Sequence, residues 1–180
     1  APLIKANDVW NAGYNGSGVK VCVLDTGINA SHPAFQGAVI ASQDFTGEGT
    51  TLDYIGHGTH VAGIVASRNL TYKGIAPNSS ILNARVCTTG GCASSWMMSA
   101  MDWCVNQGAQ VLSISIGGTY NPNDGSDALS AYSDTIVDQG KTVVIAAGNS
   151  GPNSNTIACP ACAHKVVAIG ATYKQSYSGW

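Results

Sequence analysis

Three short stretches of this 180-residue chain carry side chains suited to proton transfer and charge stabilisation. Val21-Cys22-Val23-Leu24-Asp25-Thr26-Gly27 is an apolar run that ends on a carboxylate. Gly56-His57-Gly58-Thr59-His60-Val61-Ala62-Gly63 sets an imidazole at the mouth of a helix, and Ala146-Ala147-Gly148-Asn149-Ser150-Gly151 offers a carboxamide among small residues. An aspartate that orients a histidine, and a histidine that takes a proton from a hydroxyl, form the activating part of nucleophilic catalysis. A carboxamide aimed at the resulting oxyanion supplies charge stabilisation. The nucleophile itself is missing, because no elbow of Gly-Thr-Ser type occurs before Trp180.

Each motif also has a plainer reading. Asp25 before Thr26-Gly27 fits a turn with a capping carboxylate. His57 and His60, three positions apart, can share a helical face and hold a metal. Position 58 is glycine, however, where zinc hydrolases of the His-Glu-x-x-His type need glutamate. Asn149 fits a turn residue with positive φ. The order and chemistry of the motifs together favour the catalytic reading, with no metal ligands assigned.

The elements that must position these groups follow from periodicity. Short Val- and Ile-rich runs at about 19–24, 81–86, 111–116, 142–147 and 166–170 predict strands buried on both faces. Trp96, Met97, Ala100, Met101, Cys104 and Val105 fall at helical spacing, with Ser94 or Ser95 as the cap and Gly108 as the stop. A second helix is expected near 127–139, burying Leu129, Tyr132, Ile136 and Val137, and a third from about Gly58 to Ser67. Strands alternating with helices predict one domain over 1–180, an α/β fold with a doubly wound, mostly parallel sheet and helices on both faces. Ligands of such sheets bind beyond the carboxyl ends of the strands. Asp25, Ser115-Ile116-Gly117-Gly118 and Gly148-Asn149 all follow strands, and His57 opens a helix able to reach the same edge.

Composition narrows the function classes. Charged residues are 10% of the chain and the net charge is −2, so no electrostatic case arises for nucleic acid or an anionic membrane surface. No apolar run approaches the roughly 18 residues needed to span a bilayer. The start, Ala1-Pro2-Leu3-Ile4-Lys5, holds no signal-peptide core, so an exported protein would be a processed form. Asn-x-Ser/Thr sites at Asn15, Asn29, Asn69 and Asn78 lean towards secretion. Six cysteines allow about 15 pairings. Cys22 and Cys104, inside a strand and a helix, read as small buried hydrophobes. Cys87/Cys92 and Cys159/Cys162 sit in loop-like sequence where local bridges are geometrically open.

The chain resembles the subtilisin-like serine proteases, or subtilases. The resemblance rests on Asp25-Thr26-Gly27-Ile28 with Ser31-His32-Pro33, on His57-Gly58-Thr59-His60-Val61-Ala62-Gly63, and on Gly74-Ile75-Ala76-Pro77. It continues through Ser113-Ile114-Ser115-Ile116-Gly117-Gly118 and Ala146-Ala147-Gly148-Asn149, all in family order. It implies that His57 is the general base, that Asp25 holds its tautomer, and that Asn149 donates to the oxyanion. Loss of such a donor costs about 3 kcal/mol, a magnitude that comes from subtilisin itself. By the same resemblance, Ser115-Ile116-Gly117 is an open edge on which an extended polypeptide substrate adds as a strand, with Gly90-Gly91-Cys92 as the opposite rail. Gly117, Ala147 and Gly148 leave room for the side chain before the scissile bond.

Three departures from the family pattern set further expectations. The serine motif of Gly-Thr-Ser-Met-Ala-x-Pro type is absent, and Ser176 and Ser178 stand in a segment without an elbow. This identifies the chain with the N-terminal portion of such a catalytic domain, inactive alone, and predicts a companion C-terminal segment that bears the serine. A fragment that binds peptide without cleaving it is the alternative. Ser67 to Lys73 is short and lacks carboxylates, so the sequence leaves structural calcium open but does not support it at the usual tight site, and no cofactor is required for the chemistry. The cysteine pairs are not a family constant.

Overall fold

The computed structural model describes residues 4–120 and 122–172. Ser176 and Ser178 lie outside the described residues. The main sheet has six parallel strands: β1 (Lys20–Asp25), β2 (Val39–Asp44), β3 (Ser80–Arg85), β6 (Val111–Ile114), β7 (Thr142–Ala146) and β8 (Val167–Ile169). Their order across the sheet is β2-β3-β1-β6-β7-β8. A small antiparallel hairpin, β4 (Cys87–Thr88) with β5 (Gly91–Cys92), stands beyond β3. The helices are α1 (Ala6–Asn11), α2 (His57–Ala66), α3 (Ser94–Asn106) and α4 (Ala128–Asp138). This is the α/β architecture expected, with helices on both faces of a mostly parallel sheet.

Alternation along the strands assigns the faces, since successive side chains point to opposite sides of a sheet. Cys22 and Leu24 of β1, Leu82 and Ala84 of β3, Leu112 and Ile114 of β6, and Val143 and Ile145 of β7 pack with Met97, Ala100, Met101 and Cys104 of α3 and with Leu129 and Ile136 of α4. Val21, Val23 and Ile81 point the other way, onto Ala62 and Ala66 of α2 with Ile28, Phe35 and Ala38. Each large apolar side chain buried in this way contributes about 1.5–3 kcal/mol. Small alanines on α2 let that helix lie close to β1, which matters for the site below.

Several local expectations need correction. The N-cap of α3 is Ala93, without a side-chain cap, rather than Ser94 or Ser95, which are the first two helical residues. Gly108 does take positive φ just past that helix. Strand β2 intervenes between β1 and α2, and it eluded periodicity because a solvated edge strand reading Val-Ile-Ala-Ser-Gln-Asp lacks a continuous apolar run. Tyr132 and Val137 of α4 are only partly buried. The largest correction concerns Cys22 and Cys104. They are not two separate buried hydrophobes: they form a disulfide tying β1 to α3 across 82 positions. Cys87–Cys92 and Cys159–Cys162 are also bonded, each as a local bridge.

Candidate active site

The sheet order reverses its sense of growth at β1: the chain builds through β2 and β3 on one side, then through β6, β7 and β8 on the other. Such a switch point opens a crevice beyond the carboxyl ends of the two strands that flank it. Asp25 closes β1 at that crevice, with only 1% of its surface exposed. His57 begins α2, whose next residue, Gly58, lies against β1. A Cβ at 58 would run into the Gly27 carbonyl oxygen and stand 3.0 Å from Asp25 Cβ. Glycine there lets the helix end approach the aspartate.

The contact that results is 2.7 Å between His57 Nδ1 and Asp25 Oδ1. The same oxygen accepts the Thr26 amide at 2.7 Å, while Oδ2 is buried without a hydrogen-bond partner among the described residues. Burial pushes the Asp25 carboxyl above its ordinary range, opposed by the hydrogen bonds from His57 and the Thr26 amide. A carboxylate facing Nδ1 assigns the proton to that nitrogen and leaves Nε2 as the basic lone pair. No hydroxyl among the described residues hydrogen-bonds Nε2. The His57 side chain is 47% exposed, so its ring is open to a reactant.

Asp25 and His57 stand at one end of a cleft of about 490 Å³. Ser115, Ile116, Gly117 and Gly118 line it on the β6 side, Gly148 and Asn149 follow β7, and Cys92 with Cys87 lines the wall formed by the hairpin. Gly90 and Gly91 belong to the hairpin but lie outside this lining, and Ala147 borders a neighbouring hollow that Gly148 and Asn149 share. Ser115, Ile116 and Gly117 make no backbone hydrogen bonds to other described residues. A side chain on Gly117 or Gly148 would press on Ala158, at 3.0 and 2.9 Å from its Cβ. Four chain segments thus converge on one edge, as the strand-end rule requires.

A larger hollow of about 610 Å³ lies on the outer side of α2, lined by His32, Phe35, His60 and Ile64. It contains none of Asp25, His57 and Asn149, so size does not mark the chemistry. His60 faces that hollow instead of joining His57. Sequence reasoning missed two residues beneath the site. Asp53 takes five hydrogen bonds: from the Thr26 hydroxyl, from the amides of Ile55 and Gly56 before α2, and from the amide and hydroxyl of Thr59 in its first turn; its position shortly before a helix start was the available signal. Arg85, 3% exposed at the end of β3, donates to Thr26 O, Thr50 O and Thr46 Oγ1 and pairs with Glu48. No sequence signal marks it, because a buried guanidinium is revealed only by its partners.

The model of the subtilase family matches residues 16–178. The chain is 42% identical to subtilisin DY of Bacillus licheniformis over 176 residues, covering 94% of this chain and 62% of that protein. It is 37% identical to the minor extracellular protease Vpr of Bacillus subtilis (strain 168) over 185 residues, covering 96% of this chain and 23% of Vpr. The major intracellular serine protease of the same organism is 35% identical over 181 residues, covering 94% of this chain and 56% of that protein. The chain therefore spans less than two thirds of each of these relatives.

Proposed function

The chain belongs to the subtilase family, and from that premise we propose that it carries the aspartate, histidine and oxyanion donor of a serine endopeptidase whose nucleophile is supplied by another segment. The observation that carries this reading is the 2.7 Å contact of His57 Nδ1 with Asp25 Oδ1, which leaves Nε2 open at the cleft. A serine hydroxyl brought to Nε2 loses its proton to His57 as it attacks the scissile carbonyl. Asp25 stabilises the imidazolium that forms, and His57 then returns the proton to the leaving amine. Asn149 donates its side-chain amide to the tetrahedral oxyanion.

The substrate is an extended polypeptide. The backbone of Ser115, Ile116 and Gly117, unpaired among the described residues, can accept it as an added strand, with the hairpin side of the cleft around Cys92 opposite. Backbone pairing favours loose sequence specificity; the room expected beside Gly117 and Gly148 is taken up by Ala158, which packs against both. The companion segment that bears the serine covers β8, an edge strand whose Val167 and Ile169 are 46% and 52% exposed. Without it, the 180 residues grip peptide and do not cleave it, since no hydroxyl among the described residues reaches His57 Nε2.

The three disulfides support an oxidising, extracellular compartment. No helix among the described residues is long and apolar enough to cross a membrane. Ser67–Lys73 makes a poor cage for tightly held calcium: it has no carboxylate, and Asn69 Oδ1 already accepts the amides of Thr71 and Tyr72.

Intact mass of the protein from its natural source, before and after reduction, combined with fluorophosphonate labelling, tests the reading. A labelled serine on a segment other than residues 1–180 is the expected result. Absence of label from every polypeptide that copurifies would leave peptide binding without cleavage.

A further inference from the structure

One hydrogen bond joins the proposed catalytic pair among the described residues, and the His57 side chain is 47% exposed, so the ring is only partly held by its surroundings. Its orientation has to come from the backbone that carries it. That backbone begins at Gly56, the N-cap of α2, which has φ of 92° and no capping side chain of its own. The capping is done from a distance by Asp53.

The Asp53 carboxylate is fully engaged. Oδ1 accepts the Thr26 hydroxyl at 2.8 Å and the amides of Ile55 and Gly56 at 3.0 and 2.8 Å. Oδ2 accepts the Thr59 amide at 2.9 Å and the Thr59 hydroxyl at 2.7 Å. Thr26 Oγ1 in turn accepts the buried amide of Gly58 at 2.9 Å, and Thr59 Oγ1 accepts the Asn29 amide at 3.0 Å. The donors bracket both members of the pair: Thr26 follows Asp25, while Gly56 and Gly58 flank His57. A carboxylate at the amino end of α2 is also favoured by the helix dipole.

We propose that Asp53 is a positioning residue, which locks the end of β1 to the start of α2 and thereby fixes His57 Nδ1 on Asp25 Oδ1. This rests on the reading of Asp25 and His57 as the working pair. Asp53 touches neither substrate nor the reacting atoms; it acts through Thr26 and the Gly56–Thr59 turn. A displacement of about 1 Å in such a constellation costs up to about 100-fold in rate. Removing the carboxylate also leaves Gly56, Thr59 and, through Thr26, Gly58 with weakened or missing acceptors.

The test uses the full-length protein with Asp53→Ala and Asp53→Asn, and Asp127→Ala as the control. Asp127 caps α4 by accepting the amides of Leu129 and Ser130, so its loss removes a helix cap away from the pair. The readouts are kcat and KM on a peptide substrate and the proton NMR resonance of His57 Nδ1–H. Asp53→Ala is expected to lower kcat about 10- to 100-fold with KM nearly constant, and to weaken or shift the Nδ1–H resonance. Asp53→Asn, which keeps an oxygen for the Oδ1 partners and cannot accept from the Thr59 amide, should fall between. Asp127→Ala should lower the melting temperature and leave kcat and the resonance alone. An unchanged kcat and resonance in Asp53→Ala overturns the proposal, as does an equal kcat loss in Asp127→Ala. If Asp53→Ala does not fold, wild-type values in Asp53→Asn overturn it. If the wild-type protein cleaves no peptide, the protease reading fails, and the resonance alone decides the role of Asp53.

Discussion

Asp25 Oδ1 lies 2.7 Å from His57 Nδ1, and that single oxygen also takes the Thr26 amide, while its buried twin Oδ2 has no partner among the described residues. The carboxylate is thus held in a fixed direction and underserved at once. That combination orients the imidazole and keeps the aspartate costly to ionise.

Replacing Asp25 by Asn should separate the two consequences. The amide cannot enforce the Nδ1–H tautomer, so kcat of the full-length protein should drop by about 10⁴ on the proposed mechanism. Removal of a buried charge should raise the melting temperature at neutral pH. A variant that loses activity and also melts earlier would contradict the account of Asp25 as a buried carboxylate that is costly to ionise.

Gly58→Ala should abolish the site without changing any polar group. The added methyl meets the Gly27 carbonyl and Asp25 Cβ, both backbone or near-backbone atoms that cannot swing aside. The helix end must retreat from β1, and the His57–Asp25 contact with it. Loss of the Nδ1–H resonance with far-ultraviolet circular dichroism preserved is the expected signature.

Stability should depend on pH with opposite contributions from neighbouring carboxylates. Burial opposes ionisation of Asp53 but is outweighed by hydrogen bonds from Thr59, Gly56 and Thr26, so its folded pKa lies below the ordinary 3.8. Asp53 therefore adds stability that is complete above that value and is lost as pH falls through the lowered pKa. Asp44 behaves alike: burial is outweighed by the Thr46 hydroxyl, the amides of Thr46 and Gly49, and Arg85. Asp25, raised, contributes stability present below 3.8 and lost as pH rises through its folded pKa. Melting curves between pH 2 and pH 7 should show a shallower acid-side loss in Asp53→Asn than in the wild type. Parallel slopes would show that Asp53 is not favoured as its anion.

The disulfides should differ in weight according to the loops they close. The chain-entropy estimate gives about 4–5 kcal/mol for Cys22–Cys104, which closes 82 positions, and about 2 kcal/mol or less for the bridges closing 5 and 3. Urea midpoints of the paired Cys→Ala variants should follow that order. The Cys87/Cys92 variant should in addition raise KM, because the bridge stiffens the hairpin wall of the cleft.

Arg85→Met should destabilise the loop after β2. The guanidinium is buried among Thr26 O, Thr50 O and Thr46 Oγ1, with Glu48 as its partner and Asp44 at 3.7 Å. Leaving these buried acceptors without their donor should cost about 1–3 kcal/mol. Arg85→Lys should recover only part, since an ammonium cannot reproduce the planar fork. Chemical denaturation of the two variants measures both.

The amino-acid sequence by itself determined the parallel core and the helices. Runs such as Val21–Leu24 and Val143–Ile145 are apolar at consecutive positions because both faces of those strands are covered, and Met97, Ala100, Met101 and Cys104 repeat at the period of α3. Sequence order and side-chain chemistry also marked Asp25, His57 and Asn149, whose types are unusual where they stand. The edge strand β2 was illegible because half-solvated residues carry no continuous pattern. Only the tertiary structure decided that Cys22 bonds Cys104, that Gly58 sits against Gly27, and that Asp53 and Arg85 grip the ends of β1 and β3. The physical reason is the same in each case. Local propensity and periodicity act over a few residues, whereas these contacts join segments tens of positions apart and exist only when the two faces of the sheet are packed at once.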